Sequence, residues 1–303
     1  MERALFIPDI DRLPGKGQSY DRLYLGSEFC SWRLPGVREL AEALAAATRR
    51  GMGFSLVTPF LDEPGLTRTL ALVRTLPDDP AIEIVANDLG LIEALRAKGW
   101  RRTVVAGRLL TRQRRGPGFQ SFGDVLPEAA AALRSSALDS PAFVGLLGLE
   151  YGVTRFELDD IVQGASVPSL PAGVSLSLYR PYLLVTATRN CPWVFDGRTW
   201  DRGHGCARPC RSQVLRLVTA ASSEGGMDRA EGWREAGAPG GAQRFASTDG
   251  GVQRQDPAAG TVHERAAGTP LALGGCAQFL EHRSEAPPPA GVDRIVWQPE
   301  IPA

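Results

Sequence analysis

The chain has 303 residues, 43% of them hydrophobic, and its 34 basic and 34 acidic residues leave a formal net charge of zero. That length supports one large core or two modest ones, and the charge balance argues against bulk attraction to nucleic acid or an anionic membrane. Lys16 and Lys98 are the only lysines, so 32 basic residues are arginine. With acidic residues balancing them and no isolated basic run, this reads as compositional bias rather than a phosphate- or RNA-binding surface. The N-terminal "MERALFIPDIDRLPGKG" lacks the basic start and long apolar run of a signal peptide. No stretch reaches the ~18 apolar residues of a membrane span. A cytoplasmic protein is expected, and in a reducing compartment clustered cysteines point to metal or redox chemistry before disulfides.

In chain order, "RLYLG" (Arg22–Gly26) reads as the first strand. The helix "GVRELAEALAAATRRG" follows, with Val37, Leu40, Ala41 and Leu44 on one face and Gly51 as its stop. "GFSLVT" (Gly53–Thr58) is a strand and "GLTRTLALVRTL" a helix. "IEIVA" (Ile82–Ala86) leads into the helix "DLGLIEALRAKG", with Asp88 as N-cap and Gly99 as C-terminal stop. "RTVVAG" (Arg102–Gly107) is a fourth strand. Ser140 and Pro141 begin the helix "SPAFVGLLGLEYG", which ends at Gly152. "TRFEL" (Thr154–Leu158), "VSLSL" (Val174–Leu178) and "YLLVT" (Tyr182–Thr186) continue as strands.

Repeated strand–helix units imply a parallel sheet with helices outside. Without Gly-rich dinucleotide fingerprints, an α/β fold of the β/α (TIM-like) barrel type is expected rather than a doubly wound sheet, with its chemistry at the C-terminal ends of the strands. Residues 1–218 form the barrel-like unit in this reading. The Gly/Ala/Arg-rich stretch 219–268 has too few strong apolar residues to order itself and is expected to be mobile. Residues 269–303 return to the barrel, with a last strand at Asp293–Trp297.

Cysteines are the main chemical signal. Cys30 stands alone, just past the first predicted strand. Cys191, Cys206 and Cys210 follow as Cys-x14-Cys-x3-Cys within "RNCPWVFDGRTWDRGHGCARPCR", and Cys276 is left over. Buried thiols that pack as small hydrophobes explain Cys30 well enough. They explain Cys206 and Cys210 poorly, because the surrounding Gly, Arg, Pro and His make a weak core. Four thiolates are what a tetrahedral zinc or a 4Fe–4S cluster requires. Structural zinc favours a two-residue gap between paired cysteines, and here the gap is three. His204 is an alternative ligand. A radical-SAM arrangement needs a cysteine where Gln213 stands. Hydrolase templates are missing: there is no Gly-x-Ser-x-Gly and no His-Glu-x-x-His, and the three histidines are His204, His263 and His282. Gly116 and Gly118 in "RRGPGF" read as a surface turn, since Pro117 removes an amide donor from any phosphate loop. Asp88 is a helix cap or a polar group at a barrel mouth. Surface ion pairing is the default for Arg33 and Glu157.

Taken together, "LYLGSEFCSWR", "ANDLGLIEAL", "VVAG", "YGVTRFEL" and the three cysteines after "TRNC" resemble the collagenase-like peptidase family, most of all its branch of ubiquinone-biosynthesis accessory proteins. The resemblance runs from about Tyr24 to Arg211. It implies a β/α barrel holding a 4Fe–4S cluster on Cys30, Cys191, Cys206 and Cys210, with zinc the alternative metal. It implies a paralogous partner subunit, forming a heterodimer, and oxygen-independent hydroxylation of a small quinone precursor. Arg33 and Asp88 fall on matching positions and are carried as substrate-pocket residues, while no catalytic residue is assigned. RNA-base hydroxylation, a non-catalytic metal-binding subunit and, last, a protease are the competing readings. The gap between Cys191 and Cys206, residues 112–139 and the stretch 219–268 depart from the family pattern.

Overall fold

The computed structural model describes residues 1–15, 19–116, 127–194, 206–211, 214–217, 252–255 and 271–302. Eight strands form a closed parallel barrel: β1 (Glu2–Ile7), β2 (Arg22–Gly26), β3 (Gly53–Thr58), β4 (Ile82–Ala86), β5 (Val104–Ala106), β6 (Arg155–Asp159), β7 (Ser175–Arg180) and β13 (Val292–Trp297). The last of these closes the barrel between β1 and β7, with Leu5 opposite Trp297 and Leu178 opposite Ile295. The barrel expected from the strand–helix alternation is therefore present.

Helices α1 (Val37–Arg49), α2 (Glu63–Val73), α3 (Leu89–Ala97), α4 (Arg108–Thr111), α5 (Pro127–Arg134) and α6 (Pro141–Gly145) occupy connections between strands. Alternate strand residues such as Leu23, Leu25, Leu56 and Ile84 point outward and pack against Leu40, Leu72, Leu91 and Leu95 of α1–α3 in one continuous core. The helices begin where their caps require. Asp62 accepts from the Gly65 amide, Asp88 from that of Leu91 and Ser140 from that of Phe143.

Two features differ from the sequence reading. Glu2–Ile7 is the first barrel strand, so Arg22–Gly26 is the second, and Cys30 follows strand two rather than strand one. A short apolar run ending at Pro8 has too little periodicity to declare itself; pairing with β2 and β13 makes it a strand. Second, Tyr182–Ala187 (β8) leaves the barrel. It pairs antiparallel with β12 (Ala277–Glu281), which continues through β11 (Leu271–Gly274) to β9 (Val214–Leu217) and β10 (Val252–Gln255). The stretch 219–268 lies outside the described residues apart from β10, and residues 117–126 lie outside them as well.

The barrel interior is layered. At the N-terminal end Arg22, Glu2, Arg294 and Glu83 form an ion-pair plug, with Arg22–Glu2 at 2.7 Å, Arg294–Glu2 at 2.6 Å and Arg294–Glu83 at 2.7 Å. Burial would raise the Glu83 carboxyl, but Arg294, Arg22 and the Ser55 hydroxyl hold it below its ordinary range. Above the plug, Phe6, Tyr24 and Tyr179 meet edge to face with ring centroids 6.2–6.4 Å apart, walled by Val57, Val85, Val105 and Val296. The third layer, at the C-terminal mouth, is polar and faces the second sheet. Among the described residues no helix is long and apolar enough to cross a membrane.

Candidate functional site

The mouth begins at Gly26. Its φ of +136° lies in the region glycine favours, and a Cβ there would stand 2.1 Å from the Val57 carbonyl oxygen. This close approach turns the chain sharply off β2. The Ser27 hydroxyl then accepts from the Phe29 and Cys30 amides at 3.5 and 3.3 Å. Cys30 caps a single 3₁₀ turn, Ser31–Arg33, whose last amide donates to the Cys30 carbonyl at 3.0 Å. Cys191 lies beyond β8 in a loop anchored over β3. Arg189 donates to the Leu61 carbonyl at 3.2 Å and sits over the Phe60 ring. Cys206 and Cys210 lie on the segment 206–211. Arg208 adopts φ +55° there and aims its amide at the Cys206 sulfur, 3.3 Å away. Cys210 sits in the turn Pro209–Arg211.

Cys30, Cys191 and Cys210 are buried and Cys206 is half-buried. The Cys210 thiol is pushed up to about 12, first by burial, with Cys191, Cys30 and Cys206 adding to the rise and Arg33 opposing it. Cys30 and Cys191 pack in one buried cluster, although they are far apart in sequence. Among the described residues, which include all four cysteines, no group of three His, Cys, Asp or Glu side chains is placed where it could hold a metal ion. His204 and His263 lie outside the described residues; His282 follows β12, where its amide donates to the Pro181 carbonyl at 2.8 Å.

Cys276, left over in sequence, joins the site. It sits in the turn between β11 and β12, packs with Cys30, Cys191, Phe29 and Phe279, and donates to the Phe29 carbonyl at 3.1 Å. Its position depends on the second sheet docking over the barrel mouth, which no local pattern announces.

Two buried arginines at the mouth differ sharply in how they are satisfied. Arg108 is fully buried, opens α4 and bonds through every N–H it has. Its Nε and Nη2 fork onto Glu28, and Nη1 donates to Asp159 at 2.6 Å and to the Tyr182 carbonyl at 2.9 Å. Gln298 accepts the remaining hydrogen at 3.0 Å when its amide is oriented to donate to the Tyr182 carbonyl. Burial alone would lower the Arg108 pKa, but Glu28 and Asp159 raise it well above normal. The Glu28 carboxyl is raised by its burial, against the pull of Arg108. The turn that delivers Arg108 needs Gly107, where a Cβ would stand 2.3 Å from the Asn87 side-chain oxygen.

Arg33 is 3% exposed and pairs with Asp9 at 3.0 Å through Nη2. Asp9 also pairs with Arg211 at 2.8 Å, one residue beyond Cys210. The Nε and Nη1 of Arg33 meet no acceptor among the described residues, and the Nε1 of Trp193, whose ring packs on the thiol cluster, is also buried without one. A buried donor left unpaired costs about 1–3 kcal/mol, so these groups mark a place where an acceptor belongs.

Below this layer, Glu157 lies on the inward face of β6. The Tyr179 hydroxyl donates to its Oε2 at 2.7 Å, and its Oε1 has no partner among the described residues. Burial, followed by the nearby Glu28 charge, raises Glu157 to about 8, so it holds its proton at neutral pH. Surface pairing was the expectation for Arg33 and Glu157; both are buried, because each faces inward at the mouth or in the lumen. Asp88 is the helix cap that the sequence suggests. One carboxylate oxygen accepts from the Leu91 amide at 3.1 Å and the other from that of Leu61 at 3.0 Å, which commits both to backbone. Glu28, Asp159 and Arg108 had no motif in the sequence. The one available signal was their position at or just beyond strand ends, where a barrel gathers polar groups.

No protein-family model matches the chain, and no curated protein matches it. Among solved structures it is similar to the U32 peptidase Mk0906, with a TM-score of 0.34 and 16% identity over 64% of this chain and 72% of that one. A likeness at that distance assigns neither family nor activity.

Proposed function

We propose that Cys30, Cys191, Cys206 and Cys210 hold a 4Fe–4S cluster. We further propose that the chain is the iron–sulfur subunit of an oxygen-independent hydroxylase acting on a quinone precursor. In this reading it is a UbiV-like protein that works as a heterodimer with a paralogous UbiU-like partner. The observation that carries the reading is the burial of Cys30 and Cys191 in one cluster at the barrel mouth, near Trp193 and Arg33 N–H groups that meet no acceptor among the described residues. The donor chemistry is that of such a cluster, four thiols of which three are buried, although as placed they form no group that could hold a metal ion. The hydroxylase and the quinone rest on the resemblance of the segments around Cys30, Asp88 and Cys191.

A bound cluster supplies one-electron chemistry at a potential set by its exposure and by hydrogen bonds to its sulfurs. The chain's own residues prepare the place. Phe29, Tyr182, Leu184 and Phe279 exclude water around Cys30 and Cys191. The Arg108 network locks the loop after β2, because Glu28 lies two residues before Cys30. Glu157 holds a proton beneath the mouth.

Anaerobic purification with iron, sulfide and zinc analysis and a visible spectrum tests the reading. About four iron and four sulfide per chain, with a broad band near ~400 nm, is the expected result. One zinc without sulfide would overturn it. Cys206→Ser should abolish metal binding and Cys276→Ser should leave it intact; equal loss in both would refute the four-ligand set. Co-purification with the paralogue and anoxic hydroxylation of a quinone precursor test the rest.

A further inference from the structure

We propose that Arg33 and Glu300 form a binding site for a small hydroxycarboxylic acid, whose carboxylate accepts from Arg33 and whose hydroxyl donates to Oε1 of Glu300. The site uses none of the cysteines and stands whether or not they hold a metal.

Three neighbouring strands of the barrel, β13, β1 and β2, deliver its parts. Glu300 follows β13, Asp9 follows β1 and Arg33 follows β2. All three therefore lie past the C-terminal ends of strands, on the rim where a barrel gathers its ligand-binding groups. A continuous run of contacts holds them together. Nη2 of Arg33 donates to Asp9 at 3.0 Å, and Asp9 pairs with Arg211 at 2.8 Å. Arg12 donates to the Arg211 carbonyl at 3.3 Å and pairs with Oε2 of Glu300 at 3.4 Å. Trp32, beside Arg33, and Ile301, beside Glu300, also pack on one apolar cluster, around Phe29 and Phe279.

What this run leaves unmade defines the ligand. Arg33 is 3% exposed, and its Nε and Nη1 meet no acceptor among the described residues. Oε1 of Glu300 is buried as well and meets no donor among them. The missing partner of Arg33 is an anion, because a buried guanidinium needs a counter-charge. The carboxylate it pairs with, Asp9, is shared with Arg211, whereas both oxygens of Glu28 accept from Arg108. A carboxylate matches guanidinium donors. A phosphate dianion would set more negative charge against Asp9 and Glu300, so the carboxylate is favoured. A hydroxyl on the same molecule then supplies the donor that Glu300 lacks, and the apolar cluster alongside suits a carbon body. Burial pushes the Glu300 carboxyl up, while Arg12 and then Arg33 draw it down, as the shared rim requires.

Isothermal titration of the full chain tests the site, with glycolate, lactate and mandelate each compared with its deoxy counterpart: acetate, propionate and phenylacetate. At least one hydroxy acid should bind saturably, and about tenfold more tightly than its counterpart, the effect of one hydrogen bond to a charged group. Arg33→Lys, whose ammonium still pairs with Asp9, should bind it about tenfold more weakly, and Arg33→Gln more weakly again. Glu300→Ala should bind the hydroxy acid and its counterpart equally.

No saturable binding of any of the three hydroxy acids would overturn the proposal. So would affinity unchanged in both Arg33 variants, or wild type that binds each pair equally. Saturable binding of inorganic phosphate in place of the acids would overturn the carboxylate assignment. Thermal unfolding shows whether each variant is folded; if Arg33→Gln is not, Arg33→Lys and Glu300→Ala carry the measurement. Metal content read on the same samples bears on the four-cysteine reading alone, so the two can fail separately.

Discussion

Replacing Glu157 by Gln removes a buried carboxyl of the barrel lumen that has no cationic hydrogen-bond partner among the described residues. The Tyr179 hydroxyl donates to it, its other oxygen is unpaired among the described residues, and burial raises it from 4.5 to about 8. The consequence for stability has a definite sign. Below pH ~4.5 folded and unfolded chains both hold the proton, and the contribution is fully present. Between ~4.5 and ~8 the unfolded chain releases the proton that the folded chain keeps, so stability falls as pH rises. Above ~8 both are ionised and the loss is complete. At 1.36 kcal/mol per unit, the shift is worth roughly 5 kcal/mol across that window. Glutamine is nearly isosteric with the protonated acid, still accepts from Tyr179, and does not titrate. Urea unfolding followed by tryptophan fluorescence, from about pH 5 to about pH 9, should show wild-type stability declining with pH and a clearly flatter profile for Glu157→Gln. Glu28, raised by the same burial, leaves a residual slope of the same sign. A variant with the full wild-type slope would show that Glu157 is not the group responsible and that the lumen solvates its charge.

Two further substitutions probe the mouth. Arg108→Met leaves Glu28 and Asp159 buried opposite an apolar side chain and should destabilise the protein by about 3–5 kcal/mol. Adding Glu28→Gln should recover part of that loss, which equilibrium unfolding of the double variant measures. Asp88→Ala removes a cap engaged with two backbone amides and should cost about 1 kcal/mol in the same assay, with metal content and precursor affinity unchanged. Loss of precursor affinity at unchanged stability would restore Asp88 to the substrate pocket.

The alternation of strands and helices was legible because it is local. Ile82–Ala86 was read to the residue as a strand, since a short apolar run bounded by a polar cap has few other uses, and Asp88 capped the following helix as its side chain dictates. The α/β barrel class follows from repetition of that unit. Whether a strand belongs to the barrel is a different matter. Glu2–Ile7 became β1 through its pairing with β2, from Ala4 opposite Arg22 to Ile7 opposite Leu25, and with β13 at the far end of the chain, whereas Tyr182–Ala187 is as strand-like and went to the second sheet. Propensity sets a segment's conformation; long-range hydrogen bonding sets its neighbours.

The site divides along the same line. Cys-x14-Cys-x3-Cys with a remote Cys30 signalled joint chemistry, because thiols in a Gly-, Arg- and Pro-rich segment make poor core. The packing of Cys30 against Cys191, the arrival of Cys276 from a hairpin of the second sheet, and the burial of Arg33, Arg108, Glu28 and Glu157 came from folding. A charged residue in sequence defaults to solvent because burying it is costly. That cost is met here by partners far along the chain: Arg108 meets Glu28 across 80 residues and Asp159 across 51. Amino-acid order carries the strand period, the caps and the thiol count, since these depend on near neighbours. The electrostatics of the mouth depend on which strand ends a closed barrel brings to one rim, and that is a property of the fold.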